Sequence, residues 1–527
     1  MRKLRFIYPF LFVILPILNT LTRNPGGATL TDVGGLIAIM LLACAVVFGV
    51  VALATGGRWT NPLVPLVVLA GVLWFYGYEA VRSVHRFARG TPAPIVVTGL
   101  AVALAAAATI AALRWLARRP AYLDRVGTFF TLTGVLLVGW SASRIVADQV
   151  RAGSKVRDSK LAGELSRPLP AYGSASAPQA GPPRDIYLLI LDEYANSRVL
   201  SERFGFDNRE FEDSLRKLGF TVPQLVRSNY AHTLLSIPSL LNFSHLDRLQ
   251  DELGSHETDP ALPNHLVENN RTAAFLKAQG YKFLFFPSQW WVSTQHNQNA
   301  DWEFRPWNGF ELGRELTRSD MRRVFVGSTP LSLLRRDFGH DADHVKRTLD
   351  ALAQSAGPGG PKFALAHLLN PHYPYVFDAE CRTVPKRPMG AWDQRRRDAY
   401  LEQIRCLNRL LLRTVTTLLE RSSPAPIILL VSDHGTASTR YSSAKSADAV
   451  APVQARERFG TFGAFHLPEG GGRQFADSVT LVNVIPKVLN YYFDAGIPLA
   501  PDSLYMSLEQ TPYLFAPVNP ASLAERL

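Results

Sequence analysis

Cysteine is scarce in this chain, with three among 527 residues. Cys44 lies inside an apolar stretch, so only Cys381 and Cys406 remain in the polar part. One pair leaves a disulfide open, and an oxidising surrounding would favour it. Also missing is any Lys/Arg-rich run interleaved with aromatics. A formal charge of +12 would otherwise point to nucleic acid or to an anionic membrane. Here the basic residues flank hydrophobic stretches, so the membrane is the expected partner and nucleic acid is not. Ionisable groups are few inside those stretches. Glu79, beside Tyr76, Tyr78 and Arg82, reads as an interfacial anchor rather than a step on a transport path. Without intramembrane charges or broken helices, a transporter is disfavoured.

What is present is an uneven distribution of apolar residues. Five stretches, 6–21, 33–54, 62–81, 94–116 and 128–146, are rich enough in Leu, Val, Ala, Ile and Phe to span a bilayer, which takes about 20 residues each. The first follows Arg2, Lys3 and Arg5 but has no small-residue cleavage site after it, so it reads as a retained helix. Arg2, Lys3, Arg5, Arg58, Arg114, Arg118, Arg119 and Arg125 fall on one side of the spans. Arg23, Arg82, Arg86 and Arg89 fall on the other. That bias places the amino terminus in the cytoplasm and everything after about residue 150 outside, with Arg82, Arg86 and Arg89 running against it. The expected layout is a transmembrane domain over 1–150, a Pro/Ser/Ala-rich linker over 151–183 and a catalytic domain over 184–527. The linker opens with Arg151, Lys155, Arg157 and Lys160, which suit anionic headgroups.

The polar part alternates strand-like and helical patterns, which argues for a layered α/β domain. Three fully apolar runs end in residues that bind metals. Residues 186–191 end in Asp192-Glu193, residues 363–366 lead into His367 and His372, and residues 427–431 end in Ser432-Asp433-His434-Gly435. Ligands of open α/β sheets sit beyond the carboxyl ends of strands, so three such endings favour one shared site. Carboxylates and imidazoles without thiolate suit Zn²⁺ or Mn²⁺. Thr233-Leu-Leu-Ser236-Ile-Pro238 carries helix-start signals, and a helix start suits an anion. A threonine hydroxyl is a poor nucleophile unless a metal lowers its pKa. The residue types therefore point to a metal-dependent enzyme with a hydroxyl nucleophile acting on an anionic ester. Trp290 and Trp291 suit a lipid or sugar, or a core.

The order of these motifs resembles the alkaline phosphatase/sulfatase superfamily. With five preceding spans it looks most like the membrane-anchored branch of lipoteichoic acid synthases and lipid A phosphoethanolamine transferases. The resemblance implies an α/β/α sulfatase-like domain behind a five-helix transmembrane domain. It implies Thr233 as the nucleophile, with Ser236 second, and His367 and His372 as catalytic groups that bind substrate oxygens or shuttle a proton. It implies Asp192, Thr233, Asp433 and His434 around a divalent metal, Zn or Mn, with Glu193 in place of or beside Asp192. The expected reaction moves a phosphoryl-linked headgroup from a membrane phospholipid to an envelope lipid or glycan, at the outer face of a bacterial-type inner membrane and in a monomer. A phosphodiesterase or sulfuric ester hydrolase, and an inactive binding protein, are the alternatives. Three departures stand out. No histidine lies between His434 and His466, the cysteine-rich set of the phosphoethanolamine transferases is missing, and Leu240 occupies the arginine position of the formylglycine motif.

Overall fold

A computed structural model of the chain describes residues 6–23, 30–56, 61–169, 182–288, 292–305, 320–333, 340–385, 390–475 and 478–523. Residues 1–5, Arg58, residues 170–181 of the Pro/Ser/Ala-rich linker, Trp290 and Trp291 lie outside these. The chain divides into two compact units, one of Met1–Arg151 with Gly309–Arg336 and one of Ala152–Asn308 with Asp337–Leu527.

The first unit is helical: α1 (Tyr8–Arg23), α2 (Leu30–Ala54), α3 (Leu63–Tyr76), α4 (Tyr78–Ala88), α5 (Pro94–Ala117) and α6 (Pro120–Asp158). Large apolar side chains such as Leu53, Leu104, Phe129, Leu136 and Trp140 face outward, a surface suited to lipid. Among the described residues, three helices are long and apolar enough to cross a membrane, or four if α3 and α4 count as one bent span. α1 has 16 residues, roughly 24 Å of helix against a hydrocarbon core of roughly 30 Å. The third expected span is cut short at Tyr76. Beyond Gly77 the apolar run gives way to Glu79, Arg82, Ser83, His85 and Arg86, and α4 bends away by 44°. A Cβ at Gly77 would lie 2.9 Å from the Leu73 carbonyl oxygen, so the bend sits where the chain has no side chain. The unit also contains the later helix Asp320–Gly327, which the sequence boundaries assign to the catalytic part. Its Phe325 and Val326 pack with Val13, Ile17 and Val68, and its Gly327 carbonyl accepts from Arg82 Nη1 at 2.8 Å.

The second unit is built on a seven-stranded sheet. In chain order its strands begin with β1 (Ile186–Asp192), β2 (Phe220–Thr221), β3 (Leu225–Arg227), β4 (Lys282–Phe286), β5 (Trp302–Glu303) and β6 (Lys362–Pro371). They continue with β7 (Ile427–Ser432), β8 (Gly460–Thr461), β9 (Gly463–His466), β10 (Ser478–Thr480), β11 (Leu504–Leu508) and β12 (Thr511–Val518). The large sheet runs β2-β9-β7-β1-β6-β4-β5, with small sheets β10-β3-β8 and β11-β12 beside it. β1 pairs in parallel with both β6 and β7, so the carboxyl ends of all three leave the sheet at one edge.

Alternation explains the two cores. Tyr187, Leu189 and Leu191 face the helices Gln394–Arg421 and His340–Gln354. Ile186, Leu188 and Ile190 face the helices Thr233–Asn242, Arg271–Ala278 and Val484–Phe493. Both faces of β1 are therefore buried, which is why its sequence reads as an unbroken apolar run. The result is the expected α/β/α sandwich.

The linker expectation needs correction for residues 151–169. Arg151–Asp158 completes α6, and Lys160–Leu165 is a helix whose Leu161, Ala162 and Leu165 pack with Tyr230, Leu235 and Leu246. Lys155 pairs with Glu257 at 2.7 Å and Asp259 at 2.9 Å. Three apolar residues on adjoining turns were enough to dock this stretch, and its basic composition hid them. Cys381 and Cys406 form a disulfide, tying the chain after β6 to the helix Gln394–Arg421.

The turn after β1 is held from below by a buried amide and phenol cluster. Tyr194 Oη donates to Asn408 Oδ1 at 2.6 Å and accepts from Asn208 Nδ2 at 3.1 Å, and Asn408 Nδ2 donates to Asn208 Oδ1 at 2.8 Å. Tyr194→Phe leaves two buried amides each short of a partner and should cost about 1–3 kcal/mol, read as a lowered thermal midpoint with near-wild-type secondary structure. An unchanged midpoint would show that the cluster does not hold the turn.

Candidate functional site

Period-two geometry assembles the site. On β1 the residues facing the Thr233–Asn242 helix are Ile186, Leu188 and Ile190, so the next is Asp192. On β6 they are Phe363 and Leu365, so the next is His367. On β7 they are Ile427, Leu429 and Val431, so the next is Asp433. Three parallel neighbours thus carry a core stripe that turns into acid, imidazole and acid at the same edge. One ligand atom from each of Asp192, His367 and Asp433 lies within 4.8 Å of the others, and all three residues are buried.

Each side chain is fixed in turn. Asp433 Oδ1 accepts from the backbone N–H of His434 at 2.8 Å and of Glu193 at 3.3 Å, which leaves Oδ2 without a partner. His434 Nδ1 lies 3.1 Å from the Gly435 carbonyl oxygen. A carbonyl only accepts, so Nδ1 carries the proton and Nε2 presents a lone pair. That lone pair lies 3.0 Å from Thr233 Oγ1, 3.3 Å from Asp433 Oδ2 and 3.5 Å from Asp192 Oδ1. His367 Nδ1 meets Thr294 Oγ1 at 2.8 Å, and Thr294 meets Ser288 Oγ at 2.7 Å. With Nδ1 donating, Nε2 is free to act as a ligand, and it has no hydrogen-bond partner.

Gly435 is required by close approach. A Cβ there would lie 2.1 Å from the Glu457 carbonyl oxygen and 2.9 Å from that of Gly460. Glu457 in turn accepts from Thr436 Oγ1 and from the Ser438 and Thr439 backbone N–H groups, pinning the loop that follows the Asp-His-Gly turn. Glu193 adopts a left-handed φ of 64°, a conformation uncommon outside glycine. Its backbone is held by Asp433 Oδ1 and by Tyr400 Oη, which donates to the Glu193 carbonyl at 2.9 Å. The Glu193 carboxylate turns toward His372 Nε2 at 3.8 Å and Arg458 Nη1 at 3.6 Å, and its Oε2 also has no hydrogen-bond partner. Glu193 therefore borders the cluster, while Asp192 stands inside it.

The electrostatics call for a cation. Burial, and then the charge of Glu193, push the Asp192 carboxyl well above the usual carboxylate range. Burial and the Asp192 charge do the same to Asp433. Burial, with His372 nearby, lowers His367 to about 3, and burial followed by the charge of Arg458 takes His434 well below its ordinary value. The imidazoles are thus neutral and ligand-competent. Arg458 is the cation beside them. Burial works against its charge, but Tyr441, followed by Glu193, Asp433 and Asp192, outweighs that and holds it above its ordinary value. It donates to the Ala231 carbonyl at 2.6 Å and to the Gly435 carbonyl at 2.7 Å, so it braces the turns that carry Thr233 and His434. Four buried acceptor atoms without partners, on Asp192, Glu193, His367 and Asp433, fit a divalent metal held by carboxylate and imidazole.

Thr233 opens its helix, with His232 as the N-cap residue. His232 Nε2 donates to the Ser507 carbonyl at 2.8 Å, and its Nδ1 accepts from Tyr441 Oη at 3.2 Å, which fixes the entry to the helix. Ser236, the second candidate nucleophile, donates to the Tyr230 carbonyl at 3.0 Å and takes no part in the cluster. His372 is half-exposed at the rim, where its backbone N–H donates to the Asp192 carbonyl at 3.0 Å. His466 pairs with Ile428 near the start of β7, about 16 Å of strand from Asp433 at 3.3 Å per residue, and adds no ligand. Arg458, Tyr400, His232 and Thr294 escaped the sequence reading. None ends an apolar run, and only the contacts reveal them.

The family model for sulfatases matches residues 199–471, which is 273 of the chain's 527 residues. The chain belongs to the sulfatase family. The match begins just after Asp192 and Glu193 and contains the other site residues. The domain is accordingly a sulfatase-like transferase or hydrolase of the alkaline phosphatase/sulfatase superfamily. The C-terminal periplasmic domain of EptC from Escherichia coli, solved in complex with Zn, is similar at 13% identity and a TM-score of 0.44, covering 67% of this chain and 96% of that one. The corresponding domain of the phosphoethanolamine transferase EptC from Campylobacter jejuni is similar at 12% identity and a TM-score of 0.36, covering 59% and 89%. An alkaline phosphatase superfamily protein from Vibrio parahaemolyticus shows 13% identity and a TM-score of 0.37, covering 68% and 82%. Among curated proteins no match is found.

Partners behind a metal-binding histidine set its tautomer, and their loss typically weakens metal binding about 10–100-fold. Thr294→Val should therefore lower the affinity for Zn²⁺ by about that factor, measured by competition with a chelator. Unchanged affinity would place His367 outside the ligand set.

Proposed function

We propose that this protein is a membrane-bound, metal-dependent transferase that moves a phosphoryl-linked headgroup from a phospholipid to an envelope lipid or glycan. The observation that carries the reading is the position of Thr233 Oγ1, 3.0 Å from His434 Nε2 among the partnerless acceptor atoms of Asp192, His367 and Asp433. Asp192, Asp433 and His434 would hold the cation, with Thr233 Oγ1 and the His367 imidazole beside it. The donor set favours Zn²⁺ or Mn²⁺ over a purely oxygen-bound ion. When bound, such a cation supplies positive charge where anionic oxygen develops.

The chain's own residues do the rest. Thr233 gives up its hydroxyl proton to the surrounding carboxylate and imidazole cluster, and Oγ1 bonds to phosphorus as the bond to the lipid oxygen breaks. His372, at the half-exposed rim, is placed to return a proton to the leaving oxygen. The acceptor hydroxyl then gives its proton to His372 and attacks the same phosphorus, the bond from phosphorus to Oγ1 breaks, and Thr233 recovers its proton from the cluster. Arg458 and the start of the Thr233–Asn242 helix favour an anionic group in the mouth of the site. Several apolar helices precede the domain, which suits an anchor that keeps the reaction at a membrane surface. The Cys381–Cys406 disulfide suits an oxidising, extracytoplasmic compartment. A hydrolase of the same superfamily would use water in place of the acceptor.

Thr233→Ala should reduce turnover by at least about a thousandfold, as loss of a covalent nucleophile does, and a chelator should abolish activity until Zn²⁺ or Mn²⁺ is restored. Mass spectrometry after exposure to labelled phospholipid should find an adduct on Thr233 whose mass identifies the group. Full turnover by Thr233→Ala, or activity indifferent to chelation, would overturn the proposal. Headgroup release that is independent of added acceptor would assign a hydrolase.

A further inference from the structure

The basic cluster at Arg82, Arg86 and Arg89 runs against the topology of the other charges, and the first unit shows a use for it. Trp74 Nε1 of α3 meets Thr109 Oγ1 of α5 at 3.3 Å, and beside that contact α3, α4 and α5 enclose a cleft of about 370 Å³, lined by Leu73, Trp74, Val81, Ala101 and Ala105 among others. The small residues of α5 and the Gly77 bend create the space. The volume falls within the range of about 300–1,000 Å³ typical of ligand sites. At Val81 the apolar cleft meets a second pocket of about 320 Å³, lined by Arg82, His85, Arg86, Arg89 and Thr98.

That pocket is positively charged. Three guanidinium groups face one carboxylate, Glu79, which pairs with Arg82 at 3.1 Å and Arg86 at 2.9 Å. Among the described residues, Arg89 makes no side-chain hydrogen bond or ion pair. His85 Nδ1 meets Thr98 Oγ1 at 3.2 Å and ties α4 to α5, so the basic pocket keeps its place over the apolar one. Phe87, on the same amphipathic helix, is 86% exposed and suits burial at the acyl boundary. An apolar trough continuous with a basic pocket complements one kind of molecule, an amphiphile with a hydrocarbon chain and an anionic phosphate.

We propose that the α3–α4–α5 cleft binds one anionic phospholipid, with an acyl chain between Trp74 and Ala105 and its phosphate on Arg86 and Arg89. The inference rests on the membrane reading of these helices and is independent of the reaction proposed for Thr233. Arg82 also braces the Gly327 carbonyl, so the charge test spares it.

The full chain in detergent would be titrated with phosphatidylglycerol and, separately, with phosphatidylcholine, and bound lipid counted by native mass spectrometry. Phosphatidylglycerol should bind at least tenfold more tightly. Arg86→Gln with Arg89→Gln should remove that preference, weakening phosphatidylglycerol far more than phosphatidylcholine, whose phosphate charge is offset by choline. Ala105→Leu, which narrows the trough, should weaken both lipids. Soluble glycerol phosphate should not compete, because it lacks the chain. Thermal midpoints within a few degrees of wild type would show that the variants fold. Equal binding of the two lipids, preference retained in the double variant, or competition by glycerol phosphate would each overturn the proposal.

Discussion

Two carboxylates that the sheet forces together are the constraint on which the catalytic domain depends. Asp192 and Asp433 end neighbouring parallel strands on the same face, and both are buried. Removing an ion from water costs several kcal/mol even after relaxation, and a second like charge alongside adds to that. The surroundings are arranged to meet this cost in part. Backbone N–H groups of Glu193 and His434 converge on Asp433 Oδ1, and buried Arg458 stands beside Glu193. The arrangement remains incomplete without a cation, because the His434 Nε2 lone pair also faces both carboxylates. Three electron-rich groups share a space in which the Thr233 hydroxyl is the donor. The same incompleteness makes the place suited to chemistry, since a cation that neutralised the acids would also attract an anionic group.

Much of this was legible in the sequence because a strand buried on both faces leaves a distinctive trace. The apolar runs of β1, β6 and β7 were visible, and so were the metal-type residues that end them. Counting in steps of two along those runs also separates Asp192 from Glu193. Asp192 continues the stripe of Ile186, Leu188 and Ile190, while Glu193 falls on the left-handed turn. The same count carries His367 from Phe363 and Leu365 into the carboxylate pair, whereas the family resemblance had suggested a role toward substrate. The sequence could not show what braces the turns. Arg458 lies in a short helix 24 positions beyond His434, and Tyr400 lies in the second turn of a long helix. Neither has a pattern to distinguish it from a solvated charge or an ordinary core tyrosine. Such residues are found through the carbonyl groups they reach.

The membrane part shows the opposite failure. Hydropathy finds apolar segments but assumes that each continues as one straight helix, and at Gly77 that assumption breaks. α3 ends with Tyr76, and the amphipathic α4 that follows keeps its charges together on one side. Composition likewise conceals Asp320–Gly327, whose Phe325 and Val326 enter a core made largely by residues from Val13 to Ile145. The apolar side chains that dock there are few, which is too short a signal for any window average. On the orientation expected from the other charges, the positive cluster at Arg82, Arg86 and Arg89 is costly for topology, and one of its members, Arg82, is already committed to the Gly327 carbonyl. The cluster is therefore partly structural, and topology rules that count charges without their partners overstate its weight as an orientation signal.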